Sequence, residues 1–234
     1  MYQVVFIRHG ESEWNLQNRF TGWADVDLTA NGEKQASIAG KYLKKQGFTF
    51  DLAYTSLLKR AIRTLHIALG EMDLLWIPET KAWQLNERHY GALQGLNKSG
   101  TAEKYSAEQV LTWRRSYQTA PPPLDEQDER NPVNDIKYRG IDKTLLPLTE
   151  SLETMTQRVI PYWQKEIVPH ILGGKKIIIS AHGNTLRGLV KYLDKMSDEA
   201  IESFEIPTGV PLLYDLSDKL EPLKHAYLRE DIPV

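Results

Sequence analysis

The stretch "VVFIRHG", Val4 to Gly10, begins as an apolar run and ends abruptly on an arginine, a histidine and a glycine. Four consecutive apolar residues bounded by a turn signal read as a buried strand, of the kind found inside a parallel sheet. Gln3 to Ile7 is assigned to that strand, which places Arg8, His9 and Gly10 at its carboxyl end. The pattern returns late in the chain: "KKIIISAHGN" carries an apolar strand, Ile177 to Ile179, that again ends on a histidine and a glycine, His182 and Gly183. In open α/β sheets ligands bind outside the carboxyl ends of the strands, so the two histidines are expected to face each other across one sheet edge.

Between these strands the order alternates. "DLTANGEKQASIAGKYLKKQG" predicts a helix starting near Thr29 or Asn31, with Ala36, Ala39 and Leu43 on one face and Gly47 as its stop. A short strand, Leu52 to Tyr54, precedes a helix in "SLLKRAIRTLHIALG" with Leu58, Ile62, Leu65 and Leu69 at helical spacing, and Leu74 to Ile77 is the next strand candidate. A β-α-β-α-β order implies parallel strands with right-handed crossovers. Further on, "TAEKYSAEQVLTWRRSY" reads as one helix. "APPPLDEQDERNPVND" is too rich in proline and acid for regular structure, and a second long helix runs from Leu152 to His170 with a kink or restart at Pro161. "TLRGLVKYLDKM" is helical, and "VPLLYDL" and "LKHAYL" are late strands on an antiparallel edge. The expected fold is a three-layer α/β/α single domain, residues 1–234, with a mostly parallel central sheet and an irregular excursion at about 118–150.

The 234 residues suffice for one such domain, and 29 basic against 31 acidic residues, a net charge of −2, supply no basic field for nucleic acid or an anionic membrane. No apolar run approaches the ~20 residues of a membrane span, and the first residues lack a secretory pattern, so the cytosol is the expected compartment. The absence of cysteine excludes thiolate nucleophiles, disulfides and cysteine zinc sites. A histidine metal site is disfavoured too: there is no H-E-x-x-H or H-x-H, and each histidine has an arginine nearby, Arg8 and Arg187. Neighbouring arginines suit phosphate, and an imidazole facing a phosphoryl group can be its nucleophile. Arg60, near the start of a helix that follows a strand, adds a third cation to the same edge. Of the other histidines, His66 is expected on the surface, His170 and His225 lack an evident partner, and His89 has either a supporting or binding role at the site or a plain packing role. Trp14 and Trp113 flank these motifs as possible pocket walls, whereas Trp23, Trp76, Trp83 and Trp163 are expected in core or subunit packing.

"RHGESEWN" (Arg8–Asn15), "FTGWADVDLTANG" (Phe20–Gly32), "TSLLKRAIRT" (Thr55–Thr64), "LNERHYGALQGLNK" (Leu85–Lys98), "WRRSY" (Trp113–Tyr117) and "HGNTLR" (His182–Arg187) together resemble the 2,3-bisphosphoglycerate-dependent phosphoglycerate mutases of the histidine phosphatase superfamily. "RHG" marks the superfamily, and the fourth and fifth motifs point to the mutase branch. The resemblance implies interconversion of 3- and 2-phosphoglycerate, without a metal, through a phosphohistidine on His9 primed by 2,3-bisphosphoglycerate. It implies His182 as stabiliser of the transferring group and Glu87 as acid/base. Arg8, Asn15, Arg60 and the Gly183–Asn184 backbone would hold that group. Thr21, Gly22, Arg88, Tyr90, Lys98, Arg114 and Arg115 would hold the rest of the phosphoglycerate. It further implies a homodimer or homotetramer. The sequence departs from the family pattern at Thr185, where many members have serine, and after Leu228, where "REDIPV" stands in place of a longer tail rich in lysine and alanine. That second departure would shift the balance toward a phosphatase of the same superfamily, the alternative reading, ahead of a silent phospho-ligand binding protein.

Overall fold

The computed structural model describes residues 1–229, so the "REDIPV" ending lies mostly outside the described residues. Six strands form one sheet in the order β3-β2-β4-β1-β5-β6: β1 Tyr2–Arg8, β2 Leu52–Thr55, β3 Glu79–Lys81, β4 Ile177–Ala181, β5 Pro211–Leu216 and β6 Pro222–Tyr227. β1 to β4 are mutually parallel, and β5 and β6 close one side as an antiparallel hairpin.

The alternation along β1 shows why this sequence makes three layers. Successive strand residues face opposite sides of a sheet. Val4 and Phe6 therefore join the core on one side, with Trp163, Ile177, Ile179 and Leu186, while Val5 and Ile7 join the other, with Ala39, Leu43, Leu65, Leu69 and Ile178. The second layer is α2 (Ala30–Lys45), capped by the Thr29 side chain, and α3 (Lys59–Glu71). These two pack so closely that a Cβ on Gly40 would lie 2.4 Å from the Ala68 carbonyl oxygen. The third layer contains α6 (Leu152–Tyr162), α7 (Val168–Leu172) and α8 (Gly183–Leu193). The remaining helices are the single turn α1 (Glu13–Leu16), α4 (Lys98–Tyr105), α5 (Ala107–Arg115) and the short α9 (Asp198–Ser203).

Two expectations are corrected and a third gains detail. The third strand is Glu79–Lys81, not Leu74–Ile77: the apolar run turns after α3, through Asp73 at a φ of 58°, and leaves Leu75 and Trp76 64% and 76% exposed. Trp76 is therefore not a core residue. The stretch read as one helix from Thr101 to Tyr117 is two, α4 and α5, broken at Ser106, whose φ of 97° leaves helical space while its hydroxyl accepts the Gln109 N–H and starts the second helix. The long helix from Leu152 loosens into a π segment, Trp163–Ile167, beyond Pro161 and ahead of Pro169, where two missing N–H groups interrupt the ladder.

The stretch from 118 to 150 contains three 3₁₀ turns, and Tyr138 and Leu146 of that stretch pack on Trp23. No helix among the described residues is long and apolar enough to cross a membrane.

Candidate active site

The carboxyl ends of β1, β2 and β4 meet at one point. His9 N–H donates to the Ala181 carbonyl at 3.0 Å, which holds the Arg8-His9-Gly10 turn against the end of β4. A Cβ on Gly10 would lie 2.2 Å from the Gly32 carbonyl oxygen, so only glycine fits there. The rings of His9 and His182 lie 5.1 Å apart between centroids at 60°, both buried.

Their hydrogen bonds assign different work to each ring. His9 Nδ1 sits 2.7 Å from the Gly10 carbonyl oxygen, which can only accept, so the ring hydrogen is on Nδ1 and Nε2 carries the lone pair. Arg60 Nε donates toward that Nε2 at 3.3 Å. His182 Nε2 lies 2.8 Å from Ser56 Oγ, which already accepts the Leu58 N–H at 3.1 Å. The serine hydroxyl has no other acceptor among the described residues, so its hydrogen is assigned to Nε2 and the ring hydrogen to His182 Nδ1, a buried nitrogen with no protein partner. One ring thus presents a nucleophilic lone pair and the other an unused donor.

Burial holds both imidazoles well below their usual pKa, with Arg60 next for each; Arg8 adds to the effect on His9, and His9 and Arg158 to that on His182. Both rings are therefore neutral at pH 7. Arg60 has no exposure and no carboxylate contact: its guanidinium donates to His9, to the Ala24 carbonyl at 2.9 Å and to the Gly22 carbonyl at 2.8 Å. Burial lowers it to about 10, which still leaves it charged. Arg8 donates to the Ile206 carbonyl at 2.7 Å, its Nε is buried without a partner, and burial lowers its pKa as well. Buried arginines without counter-ions are costly unless an anion completes them.

These groups open into a cavity of about 300 Å³. Of the expected binding residues, Asn15, Thr21, Gly22, Tyr90, Lys98, Arg114, Arg115, Gly183 and Asn184 all line it, together with Arg8, His9, Arg60 and Glu87. His182 stands behind His9. Arg88 does not reach the wall: it is fully buried, donates to the carbonyls of Trp113 and Arg114, and stacks on the Tyr90 ring with 4.6 Å to its centroid. Burial raises the Tyr90 phenol, but the charge and hydrogen bond of Arg88 together with the Asn184 hydrogen bond leave the net shift downward. Burial likewise lowers Lys98. Trp14 and Trp113 are not wall residues either.

Five wall residues were outside the expected set, Arg19, Phe20, Arg187, Glu205 and Ile206. Arg187, one turn into α8, donates to Asn184 Oδ1 at 2.9 Å and to the Ile201 carbonyl at 2.5 Å, and burial lowers it to about 10. Its spacing of three from Asn184 on a helix was the available signal. Glu205, from the loop before β5, contacts Arg115. Nothing in its local sequence marks it. The wall holds seven basic side chains and two carboxylates, a balance that favours a ligand with more than one negative group. The N-terminus of the eleven-residue α8, with His182 as an N-cap that makes no side-chain cap bond, adds backbone N–H groups.

The chain matches the sequence profile of the histidine phosphatase superfamily (branch 1) over residues 4–131, more than half its length. It belongs to that superfamily. Solved structures agree in fold: alpha-ribazole phosphatase from Shigella flexneri is 24% identical with a TM-score of 0.72, covering 99% of this chain and 98% of that one. A mycobacterial glucosyl-3-phosphoglycerate phosphatase is 20% identical with a TM-score of 0.73, covering 97% of each chain. Mycobacterial hydrolase 1 is 20% identical with a TM-score of 0.73, covering 97% of this chain and 96% of that one. Membership in the superfamily assigns the site to phosphatase-type or phosphotransfer chemistry.

Glu87 is positioned from behind. Its Oε1 accepts the N–H groups of Arg88 at 2.7 Å and Asn184 at 3.2 Å. Its segment is clamped by Arg158 of α6, which donates to the carbonyls of Gln84, Asn86 and Glu87 and pairs with buried Glu150 through Nε and Nη2 at 2.7 and 2.8 Å. Glu150 also accepts the His89 N–H at 2.8 Å. His89 is thus a packed residue behind the site, and burial lowers it to about 4. Removing one member of a buried pair strands the other, so Arg158→Met is expected to lower stability by about 3–5 kcal/mol in urea unfolding, and Glu150→Gln to act in the same direction. His66 and His225 do have partners, Glu79 at 2.6 Å and Asp194 at 3.2 Å, on the surface. Among the described residues no group of three or more His, Asp and Glu side chains could hold a metal ion.

Proposed function

We propose that this protein moves a phosphoryl group between O3 and O2 of phosphoglycerate by way of His9. The observation that carries the reading is the second set of cations in the same cavity: beyond Arg8 and Arg60 near His9, the wall formed by α4 and α5 contributes Lys98, Arg114 and Arg115. A phosphomonoester with a neutral remainder has no use for them, whereas a carboxylate or a second phosphate does.

In the proposed cycle His9 Nε2 attacks a phosphorus of 2,3-bisphosphoglycerate, the P–O bond breaks, and the departing oxygen takes a proton from Glu87. The other hydroxyl of a phosphoglycerate then returns its proton to Glu87 as its oxygen attacks the phosphorus on His9. Oε1 of Glu87 already accepts two N–H groups, so the proton travels on Oε2. The cations around the phosphoryl group spread its charge, which is most of what such transfer requires.

The second reading is hydrolysis by the same site, water replacing the second hydroxyl. Its support is that two of the structural relatives are named phosphatases, one of them acting by its name on a glucosylated 3-phosphoglycerate. A coupled assay of 3-phosphoglycerate to 2-phosphoglycerate conversion in chelator, with and without 2,3-bisphosphoglycerate and with phosphate release followed in parallel, separates the two. Conversion that depends on the bisphosphate with little phosphate release is expected. Phosphate release without isomerisation would replace the mutase reading by the phosphatase one.

A further inference from the structure

Of the two carboxylates in the cavity wall, Glu87 is held from behind by backbone N–H groups, whereas Glu205 is held by a cation of the cavity itself. Its Oε1 meets Nη2 of Arg115. The side chain of Glu205 is 62% exposed against 24% for Arg115, so the carboxylate lies on the rim and can turn out to water while the guanidinium stays in the wall. The backbone beneath it is anchored. Tyr227 Oη donates to the Glu205 carbonyl at 2.6 Å, the next carbonyl, of Ile206, accepts from Arg8 Nη1 at 2.7 Å, and Gly209 N–H donates to the Arg8 carbonyl at 2.9 Å. The segment that carries Glu205 is therefore tied to the arginine beside His9. Its negative charge reaches inward as well, raising the pKa of both Arg8 and Arg187 against the effect of burial.

We propose that Glu205 is a resident counter-ion of Arg115, displaced when the far anionic group of the ligand arrives, and that it thereby sets how strongly the site prefers phosphates bearing a second anion. In the free protein the pair satisfies Arg115. An incoming carboxylate must break that pair and then lie near a second carboxylate, so Glu205 weakens the grip on doubly anionic ligands and hastens their release. A ligand that occupies only the phosphoryl end leaves the pair intact. The inference rests on the proposed function only for the identity of the far group.

The test is calorimetric binding of inorganic phosphate, phosphoglycolate and 3-phosphoglycerate to the wild-type protein and Glu205→Gln at low and moderate salt. The substitution is expected to tighten both carboxylate-bearing ligands by roughly 2- to 5-fold at low salt, less at moderate salt, and to leave inorganic phosphate within about 2-fold. In an Arg115→Met background the same substitution should no longer matter. Equal tightening of all three ligands, no tightening of any, or an effect that survives Arg115→Met would overturn the proposal. If phosphoglycolate binds and 3-phosphoglycerate does not, the phosphoglycerate reading fails, and Glu205 is still judged on phosphoglycolate.

Discussion

Replacing His9 by alanine is expected to lower turnover of every phosphate ester the protein accepts by roughly 10⁴-fold or more, because the proposed covalent step loses its nucleophile. The expectation is specific to His9. His182 is equally buried, but unlike His9 it does not line the cavity: its Nε2 lone pair is turned to the Ser56 hydroxyl and its Nδ1 is assigned the hydrogen, so it offers no lone pair to phosphorus there. His182→Gln should therefore slow transfer while leaving some phosphoenzyme, and His9→Ala should leave none. Rapid acid quench after mixing with labelled 2,3-bisphosphoglycerate destroys the labile phosphoramidate, so the protein is trapped in alkali and the bound label counted. A His9→Ala protein that still takes up label would move the nucleophile elsewhere. Loss of the ring also strands Arg60 Nε in the interior at about 1–3 kcal/mol, so a thermal melt in phosphate is the control that the variant is folded.

The parts of this site that could be read from the sequence are those where chemistry and local structure coincide. β1 and β4 are runs of buried apolar residues that stop on histidine and glycine, so the residues that end the strands are also those proposed to react, and the topological rule for parallel sheets places them together. α2 and α3 were legible from their spacing and Thr29 from its cap. β3 was not, because a half-exposed edge strand of Glu-Thr-Lys buries too little to show a period, while the nearby apolar Leu74–Ile77 sits in a turn. The break between α4 and α5 depends on Ser106 at positive φ, a conformation that serine seldom signals. Arg88 shows the other limit. Its place in the "ERHY" motif, by resemblance, set it against substrate; its three-dimensional surroundings make it the support for Arg114 and Tyr90, which do face the cavity. Arg158 and Glu205 act across the fold, at separations of 71 residues from Glu87 and 90 from Arg115, and no local pattern encodes either pairing.

For Glu87→Gln the expected loss is about 10²- to 10⁴-fold in transfer from phosphoglycerates, the range for removing a positioned acid/base, and it should depend on the leaving group. The amide can keep its oxygen in the place of Oε1, accepting the N–H groups of Arg88 and Asn184, so the end of α8 and the pocket wall need not move. What disappears is the oxygen proposed to carry the proton. An alkoxide leaving from phosphoglycerate needs that proton, whereas p-nitrophenolate leaves without one. The variant should therefore form phosphoenzyme from p-nitrophenyl phosphate at close to the normal rate and from 2,3-bisphosphoglycerate hardly at all. Equal losses with both donors would mean that Glu87 is a structural member of the wall, held by α8 and the Arg158 clamp, and that the proton moves through another group. A loss confined to the alkyl phosphates would fix the proton on Glu87 Oε2 and, since isomerisation needs that proton twice in each cycle, would reduce mutase turnover more than a single hydrolytic transfer from an activated ester.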